Sequence, residues 1–427
     1  MNKEQLYDNL PKDWIVKRLK FIANEENSLF LDGDWIESSM ITDNGIMYLT
    51  TGNIGDLHYK EKNNQFISED TFNELNCLKV FPNDLVLSRL NSPISRACLL
   101  PNIAPYYVVA VDDCVLRPNK DISKKFMLYQ LNSYGYRETA ENLARGTTMQ
   151  RVSRSQLGKL NVVVPPLKEQ NLIAQYLDEK VPQIEKVIDV IKKEIEVLEM
   201  TKKSIITECV TKGLDKDIEL KDSGVEILGL INKTYEIKKI KYVSILKTGT
   251  TPEQKIGISD EKTINNIKWH TPGDFNGFEL NASQYIDNNN NLFFPENSIY
   301  LVTIGATLGK IAIEPEKSYC NQQITVLMPK INNKYLMYNL YSNVDYLRMN
   351  SESTTLAQLN NQTLKNIKIC VASLKEQQEI VDYLDKKCGA IDKIIATKKE
   401  QISKLETHKQ SLIYDYVTGK KRVKGVE

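Results

Sequence analysis

The chain has 427 residues, of which 41% are hydrophobic and 26% charged, with a formal net charge of +1. That length suffices for two to four separate cores, and no run of about 18 apolar residues exists to cross a membrane. Near-neutral charge argues against a protein that coats nucleic acid without regard to sequence, yet it permits local basic patches or partners that share the phosphate load. The start, Met1 to Leu10, is polar and acidic and does not read as a signal peptide. Seven cysteines are scattered without a Cys-x-x-Cys pair, so buried free thiols in a reducing cytoplasm are expected. His58, His270 and His408 lie far apart in sequence, and no metal site is expected.

The first predicted unit, residues 1–166, is made of short β-branched and aromatic runs broken by Asn, Gly and Pro. Tyr106-Tyr107-Val108-Val109-Ala110-Val111 is one such run, and a helical stretch comes late, near Lys125 to Leu143. The unit holds 19 Lys+Arg against 20 Asp+Glu, so it is not basic overall, yet eight of the chain's ten arginines lie in it. Arg145, Arg151 and Arg154 flank Gly146-Thr147-Thr148-Met149-Gln150. Arginine, threonine and glutamine on a glycine-started loop can bond base edges and phosphates. A solvated loop would use the same residues.

A helical spacer is predicted over 167–216. Residues 168–212 contain no glycine and one proline, Pro182. Ile184, Ile188, Ile191, Ile195, Leu198 and Ile205 step as a heptad seam, with Lys202 in the gap. About 40 such residues make a rod of roughly 60 Å, and its apolar stripe must be buried against something.

The second unit, 217–373, repeats the mixed pattern, with Ile299-Tyr300-Leu301-Val302-Thr303-Ile304 as a strand and a helical stretch at Lys334 to Met349. It holds 16 Lys+Arg against 16 Asp+Glu. Gly305-Ala306-Thr307-Leu308-Gly309-Lys310 imitates a phosphate loop, but three residues separate the glycines and Ile311 follows the lysine, so the motif is rejected. A second helical spacer spans 374–427. Its seam is Ile391, Ile395, Ile402, Leu405 and Leu412, interrupted by Lys398 and Lys409.

The chain is a repeat. Leu167-Lys168-Glu169-Gln170 returns as Leu374-Lys375-Glu376-Gln377, an offset of 207, and over 167–178 eight of twelve positions are identical. The register holds through the spacers: Ile184 falls on Ile391, Ile188 on Ile395, Ile195 on Ile402 and Leu198 on Leu405. The globular segments correspond more loosely. Trp14 to Lys20 matches Tyr235 to Lys241, Arg96 falls on Lys310, and Thr147-Thr148 on Thr354-Thr355. One frame carrying two different readers would look like this. Two rods of equal length and register should pair antiparallel as a coiled coil with pseudo-two-fold symmetry. The plainer alternative is two amphipathic helices, each packed on its own domain.

No catalytic set stands out. Val164-Pro165-Pro166-Leu167 lacks the polar residue and the aromatic of the amino-methyltransferase motif. Nuclease-like Asp-x-Lys triplets begin at Asp178, Asp260 and Asp385, but two of them lie in the rods.

These residues match a known family. The chain resembles type I restriction-modification specificity subunits over nearly its whole length. The resemblance is carried by Pro165-Pro166-Leu167-Lys168-Glu169-Gln170, Ile173-Ala174 and Tyr176-Leu177-Asp178. It continues through Lys221-Asp222-Ser223-Gly224-Val225-Glu226, Lys247-Thr248-Gly249-Thr250-Thr251-Pro252, Trp269-His270-Thr271-Pro272-Gly273-Asp274-Phe275 and Asn321-Gln322-Gln323. The first unit departs from the pattern: it lacks the Gly-Thr-Thr-Pro stretch, and Val111-Asp112-Asp113 stands where the glutamines would be. The second copy has Val371-Ala372-Ser373 in place of the proline pair.

The resemblance implies a mixed α/β fold. Two globular target-recognition domains each precede a long helix, and the helices pair as an antiparallel coiled coil. Each domain would read one DNA half-site. The rods would dock two methyltransferase subunits that bind S-adenosylmethionine, and through them restriction/translocase subunits. The chain itself would have no catalytic residue, cofactor or metal, and would be cytoplasmic. The expected DNA-binding residues in the first unit are Arg89, Arg96, Arg145, Thr147, Thr148, Gln150 and Arg151. In the second they are Lys247, Thr248, Thr250, Lys310, Thr354, Thr355 and Gln358. A coiled-coil scaffold that never touches DNA, or a self-contained methyltransferase or nuclease, are the competing readings.

Overall fold

In the computed structural model of the chain, residues 10–62, 65–146, 149–251, 258–264, 266–287, 293–351 and 357–423 are described. They fall into two units, Met1–Ile191 with Glu400–Glu427, and Lys192–Lys399.

In the first unit, Ile15–Arg18 pairs antiparallel with Asn161–Val164, joining Ile15 to Val164 and Arg18 to Asn161. The three-valine run favours a strand, and Pro165-Pro166 end it, because proline cannot donate to a ladder. The same prolines start the next helix, where the Pro166 carbonyl accepts from the Glu169 and Gln170 amides at 2.8 and 3.0 Å. Between the clamp strands lie two four-stranded sheets. One runs in the order Leu29–Asp32, Asp113–Arg117, Leu85–Ser88, Ala97–Leu99. The other runs Ile41–Thr42, Gln65–Ile67, Ile46–Leu49, Val108–Val109. The predicted late helix is two helices, Lys124–Leu131 and Tyr134–Glu141. The core joins one face of the first sheet to Phe126, Met127 and the helix residues Ile173, Leu177 and Ile413, while the other face, with Val86, Cys98 and Val115, packs with Leu49 and Val109 of the second sheet.

The second unit has the same topology. Glu236–Lys239 clamps Lys368–Val371. One sheet runs Ser244–Thr248, Ile324–Pro329, Ser298–Val302, Ile311–Glu314, and the other Ile258–Ser259, Gln284–Asp287, Asn266–His270, Ser318–Cys320. In each unit the second sheet ends on a parallel pair. The predicted late helix is again two, Asn333–Ser342 and Val344–Met349. Where the proline pair is missing, Ser373 caps the following helix: its hydroxyl accepts from the Glu376 amide at 3.3 Å.

The long helices run Leu167–Lys212 and Leu374–Val417. Within the first unit, the part before residue 192 lies antiparallel to the part after 399. Glu169 bonds Arg422, Tyr176 stacks obliquely on Tyr416, and Glu185 accepts from Lys409 at 3.1 Å. Within the second unit, Glu194 accepts from Lys398 at 2.6 Å and Lys202 bonds Asp392 at 2.8 Å, again antiparallel. Of the seam residues, Ile188, Ile191, Ile195 and Ile395 are buried, while Ile184, Leu198, Ile391, Ile402 and Leu405 are half-buried. All seven cysteines are buried and free. Among the described residues, no helix is long and apolar enough to cross a membrane.

Candidate nucleic-acid interface

The repeated Leu-Lys-Glu-Gln motif fastens each globular unit to its helix. Gln170 accepts from the Ser123 amide at 2.7 Å and donates to the Pro165 carbonyl at 2.8 Å. Gln377 does the same with the Asn332 amide and the Ala372 carbonyl, at 3.1 and 2.8 Å. Glu169 accepts from the Trp14 indole at 2.9 Å, and Glu376 from the Tyr235 hydroxyl at 2.6 Å. Asp178 and Asp385, the starts of the nuclease-like triplets, accept from Tyr129 and Tyr338 at 2.8 and 2.7 Å and pair with Lys125 and Lys334. They tie the helices to the globular units.

The arginine loop of the first unit is closed at its base. The Arg145 amide donates to the Arg151 carbonyl at 3.1 Å and the Arg151 amide returns a bond to Arg145 at 3.0 Å. Gly146 takes a φ of +112°, and a Cβ there would lie 2.2 Å from the Met149 carbonyl oxygen, so the loop requires glycine. The Asn91 amide donates to the Gln150 carbonyl at 2.8 Å. Arg145, Gln150 and Arg151 are exposed, and Arg151 reaches Asp112 at 2.6 Å. Thr147, Thr148, Thr354 and Thr355 lie outside the described residues.

Arg89 and Arg96 turn inward. Arg89 is buried, donates to the Val152 carbonyl at 3.1 Å and to Val111, and pairs with Asp32 at 3.1 Å. Arg96 folds onto the carbonyls of Ile54 and Thr51, at 3.2 and 3.4 Å. Beside them Asp113 is fully buried, and neither carboxyl oxygen has a hydrogen-bond partner. Burial pushes its carboxyl well above the usual carboxylate range, the Asp112 charge adds to this, and Arg96 and Arg89 pull only partly back.

In the second unit Lys247, Thr250 and Gln358 are exposed. Thr250 shares a hydrogen bond with the Tyr319 hydroxyl at 3.0 Å. Thr248 is engaged inside the sheet, 3.2 Å from the Thr325 hydroxyl and accepting from Asn361 at 2.8 Å. Lys310 points back to the Pro272 carbonyl at 3.4 Å. The Gly305–Lys310 segment is a hairpin turn between two strands, where the Gly309 amide donates to the Val302 carbonyl at 2.9 Å. A phosphate loop would instead lead into a helix.

The shared topology bears out the sequence match of Arg96 with Lys310 and exposes two further correspondences. Ser88 and Val302 bond the opposite arm of their hairpins in the same way, placing Arg96 and Lys310 at one position. Thr50-Thr51-Gly52-Asn53 is the first unit's counterpart of Thr271-Pro272-Gly273-Asp274. Asn53 accepts from the Thr50 amide at 3.0 Å, as Asp274 does from Thr271 at 2.7 Å. Gly33 is the counterpart of Gly249. A Cβ on Gly33 would lie 2.2 Å from the Val109 carbonyl oxygen, and on Gly249 2.2 Å from that of Cys320. The first unit therefore does possess the glycine of the Gly-Thr-Thr-Pro stretch, with Asp34-Trp35 following it. The signal was a Gly after a short apolar run, obscured because the offset drifts from 221 at Trp14 to 207 at the spacer.

Among the described residues, no group of three or more His, Cys, Asp or Glu is placed to hold a metal. The buried cluster of His270, Lys268 and Glu314, with contacts of 2.9 and 3.0 Å, joins two strands. Burial raises the Glu314 carboxyl, but the bonds from His270 and Lys268 outweigh it and hold it below the usual range.

Residues 11–200 and 232–407 match the family described as type I restriction modification DNA specificity domain. A Methanocaldococcus jannaschii sequence assigned to the MjaX type I restriction enzyme as its specificity subunit is 23% identical, covering 97% of this chain and 95% of its own. The MjaVIII specificity subunit of the same organism is 25% identical over 72% of each chain. A chain from a structure on complex assembly and conformational transition of the type I R-M system superposes with a TM-score of 0.67 at 14% identity. That match covers 96% of this chain and 98% of the other.

Proposed function

The chain belongs to the type I restriction-modification specificity subunits, the non-catalytic recognition subunits of their complexes, and from that premise we propose that it reads a two-part site in double-stranded DNA. Each unit reads one half-site, and the helical spacers carry the contacts to two methyltransferase subunits and, through them, to restriction/translocase subunits. S-adenosylmethionine is bound by the methyltransferase partners, and the assembly works in the cytoplasm.

One observation carries this reading. Two units share a strand order and a fastening motif, yet differ in the exposed residues of their loops. Arg145, Gln150 and Arg151 stand out in the first, Lys247, Thr250 and Gln358 in the second. Divergent donors on a duplicated frame suit two different base sequences, since base edges are read by side-chain donors and acceptors.

The test is to map methylated adenines in a host with and without this chain, its methyltransferase partner being present throughout. A motif of two short sequences around an unspecified gap, seen only with the chain, is the expected result. An unchanged methylation map would overturn the reading.

A further inference from the structure

Trp35 is 69% exposed, whereas the other two tryptophans, Trp14 and Trp269, are each 5% exposed. Its backbone is held on both sides. Gly33 packs against the Val109 and Ala110 carbonyls, the Asp34 amide donates to the Val109 carbonyl at 2.8 Å, and the Asp34 carboxylate accepts from the Leu78 amide at 3.0 Å. On the other side, Ile36 packs against the cluster around Ile46 and Tyr48. A large aromatic ring is thus presented to solvent from a backbone fixed on both sides.

The second unit carries a polar residue at this position. Gly249 occupies the place of Gly33, so Thr251 occupies that of Trp35, and Thr251 donates to Gln322. Gln322 stands where the first unit has Val111. The positions of a hydrogen-bonded polar pair in one unit are therefore held by two apolar residues, Trp35 and Val111, in the other. The next residue after Val111 is Asp112, which holds Arg151 of the arginine loop. Asp34 pairs with Ala110, so Trp35 sits within two residues of that anchor along the neighbouring strand.

We infer that Trp35 is a specificity-determining residue of the first unit, making an apolar contact with the bases of its half-site where the second unit uses hydrogen bonds. This rests on the DNA-reading function proposed above. The chemistry it would take is a thymine methyl or a base face, the apolar surfaces that duplex DNA offers to a side chain.

The experiment uses the full chain assembled with its methyltransferase partner and a duplex selected by the wild-type complex from a randomised pool. Subtracting the emission of a Trp35→Phe complex from that of the wild type isolates the Trp35 signal. That signal should be quenched on adding the selected duplex. Trp35→Ala should weaken binding by about tenfold, as loss of one good base contact does. It should also relax the methylated motif in one half-site and leave the other unchanged. Replacing thymine by deoxyuridine in that half-site distinguishes the two partners: a loss seen in wild type but not in Trp35→Ala assigns the methyl, and no loss assigns a base face.

Unchanged Trp35 emission on bound DNA, with an unchanged motif in Trp35→Ala, would overturn the inference. So would emission that shifts on adding the methyltransferase partner and not on adding DNA, which would make the ring a protein contact. If the wild-type complex selects no duplex at all, the DNA-reading function fails first, and this inference with it.

Discussion

Lys202 places its ammonium 2.8 Å from both carboxylate oxygens of Asp392, and the same pair recurs 207 residues away as Lys409 and Glu185. Lys202 interrupts the apolar seam in the sequence. In the folded unit it is buried, 4.3 Å above the Phe278 ring, while Asp392 is half-exposed. Asp392→Asn leaves a buried ammonium without its counter-charge and should lower stability by about 1–2 kcal/mol, less than for a fully buried pair because water reaches Asp392. Lys202→Met fills the seam with an apolar residue of similar length and should cost less. The comparison is read as the shift in melting temperature of the two variants, and equal or reversed shifts would show that the ion pair adds nothing.

The fastening glutamines give a second prediction. Gln170 is fully buried and bonds the Ser123 amide and the carbonyls of Asp121 and Pro165. Gln170→Leu strands those three groups; an unpaired buried backbone group costs roughly 1–3 kcal/mol, and because two of the three bonds are only partly buried, a loss near the lower end, about 3 kcal/mol in all, is expected. Gln377→Leu should act alike in the second unit. Lys168→Ala, at an exposed neighbour, should change chemical unfolding by less than about 0.5 kcal/mol.

A pH dependence follows from His58 and Glu185, 2.9 Å apart. The hydrogen bond that His58 donates to Glu185 raises its imidazole above the ordinary value of 6.5, although burial and the Lys409 charge oppose it. Burial lifts the Glu185 carboxyl, but bonds from His58 and Lys409 outweigh this and hold it below 4.5. His58 thus contributes stability that is complete below its unfolded value and is lost as pH rises through the higher folded one. Glu185 contributes stability above 4.5 that is lost as pH falls through its depressed value. The tie is at full strength between about 4.5 and 6.5. The ring is largely exposed, so solvent screens the effect. In an NMR titration the His58 ring should titrate above 6.5 in wild type and move back down in Glu185→Gln; no movement would show that Glu185 is not the cause.

Two arginines of the first unit should separate by their burial. Arg89→Ala removes a buried guanidinium that supports Val152, Val111 and Asp32, and should lower the melting temperature. Arg151→Ala removes an exposed group bound only to Asp112 among the described residues. It should leave melting unchanged and relax one half-site of the methylated motif, since a base-specific contact contributes about 1–3 kcal/mol. If Arg151→Ala destabilises the chain and the motif stays the same, Arg151 is structural.

The duplication, the mixed α/β class and both long helices were legible in the residues themselves. Helical periodicity is a local property, and a 207-residue offset preserved through the spacers is visible without coordinates because both copies keep one seam. The arginine loop was legible for a similar reason, since Gly146 and its flanking arginines are contiguous. The direction in which an arginine points is not local. Arg89 and Arg96 look like Arg151 in sequence, but Asp32, Val111 and the Ile54 carbonyl, brought close by the sheets, draw the first two inward.

Sequence by itself determined how many units the chain has, how they are joined and that Leu-Lys-Glu-Gln is their common element. Tertiary structure alone decided what that element does, because the partners of Gln170 and Glu169 at Ser123, Trp14 and Arg422 come from distant stretches. It also decided that Gly33 stands for Gly249 and Trp35 for Thr251. Insertions between strands shift the sequence offset, whereas a glycine pressed against a neighbouring carbonyl keeps its place whatever the loops around it do.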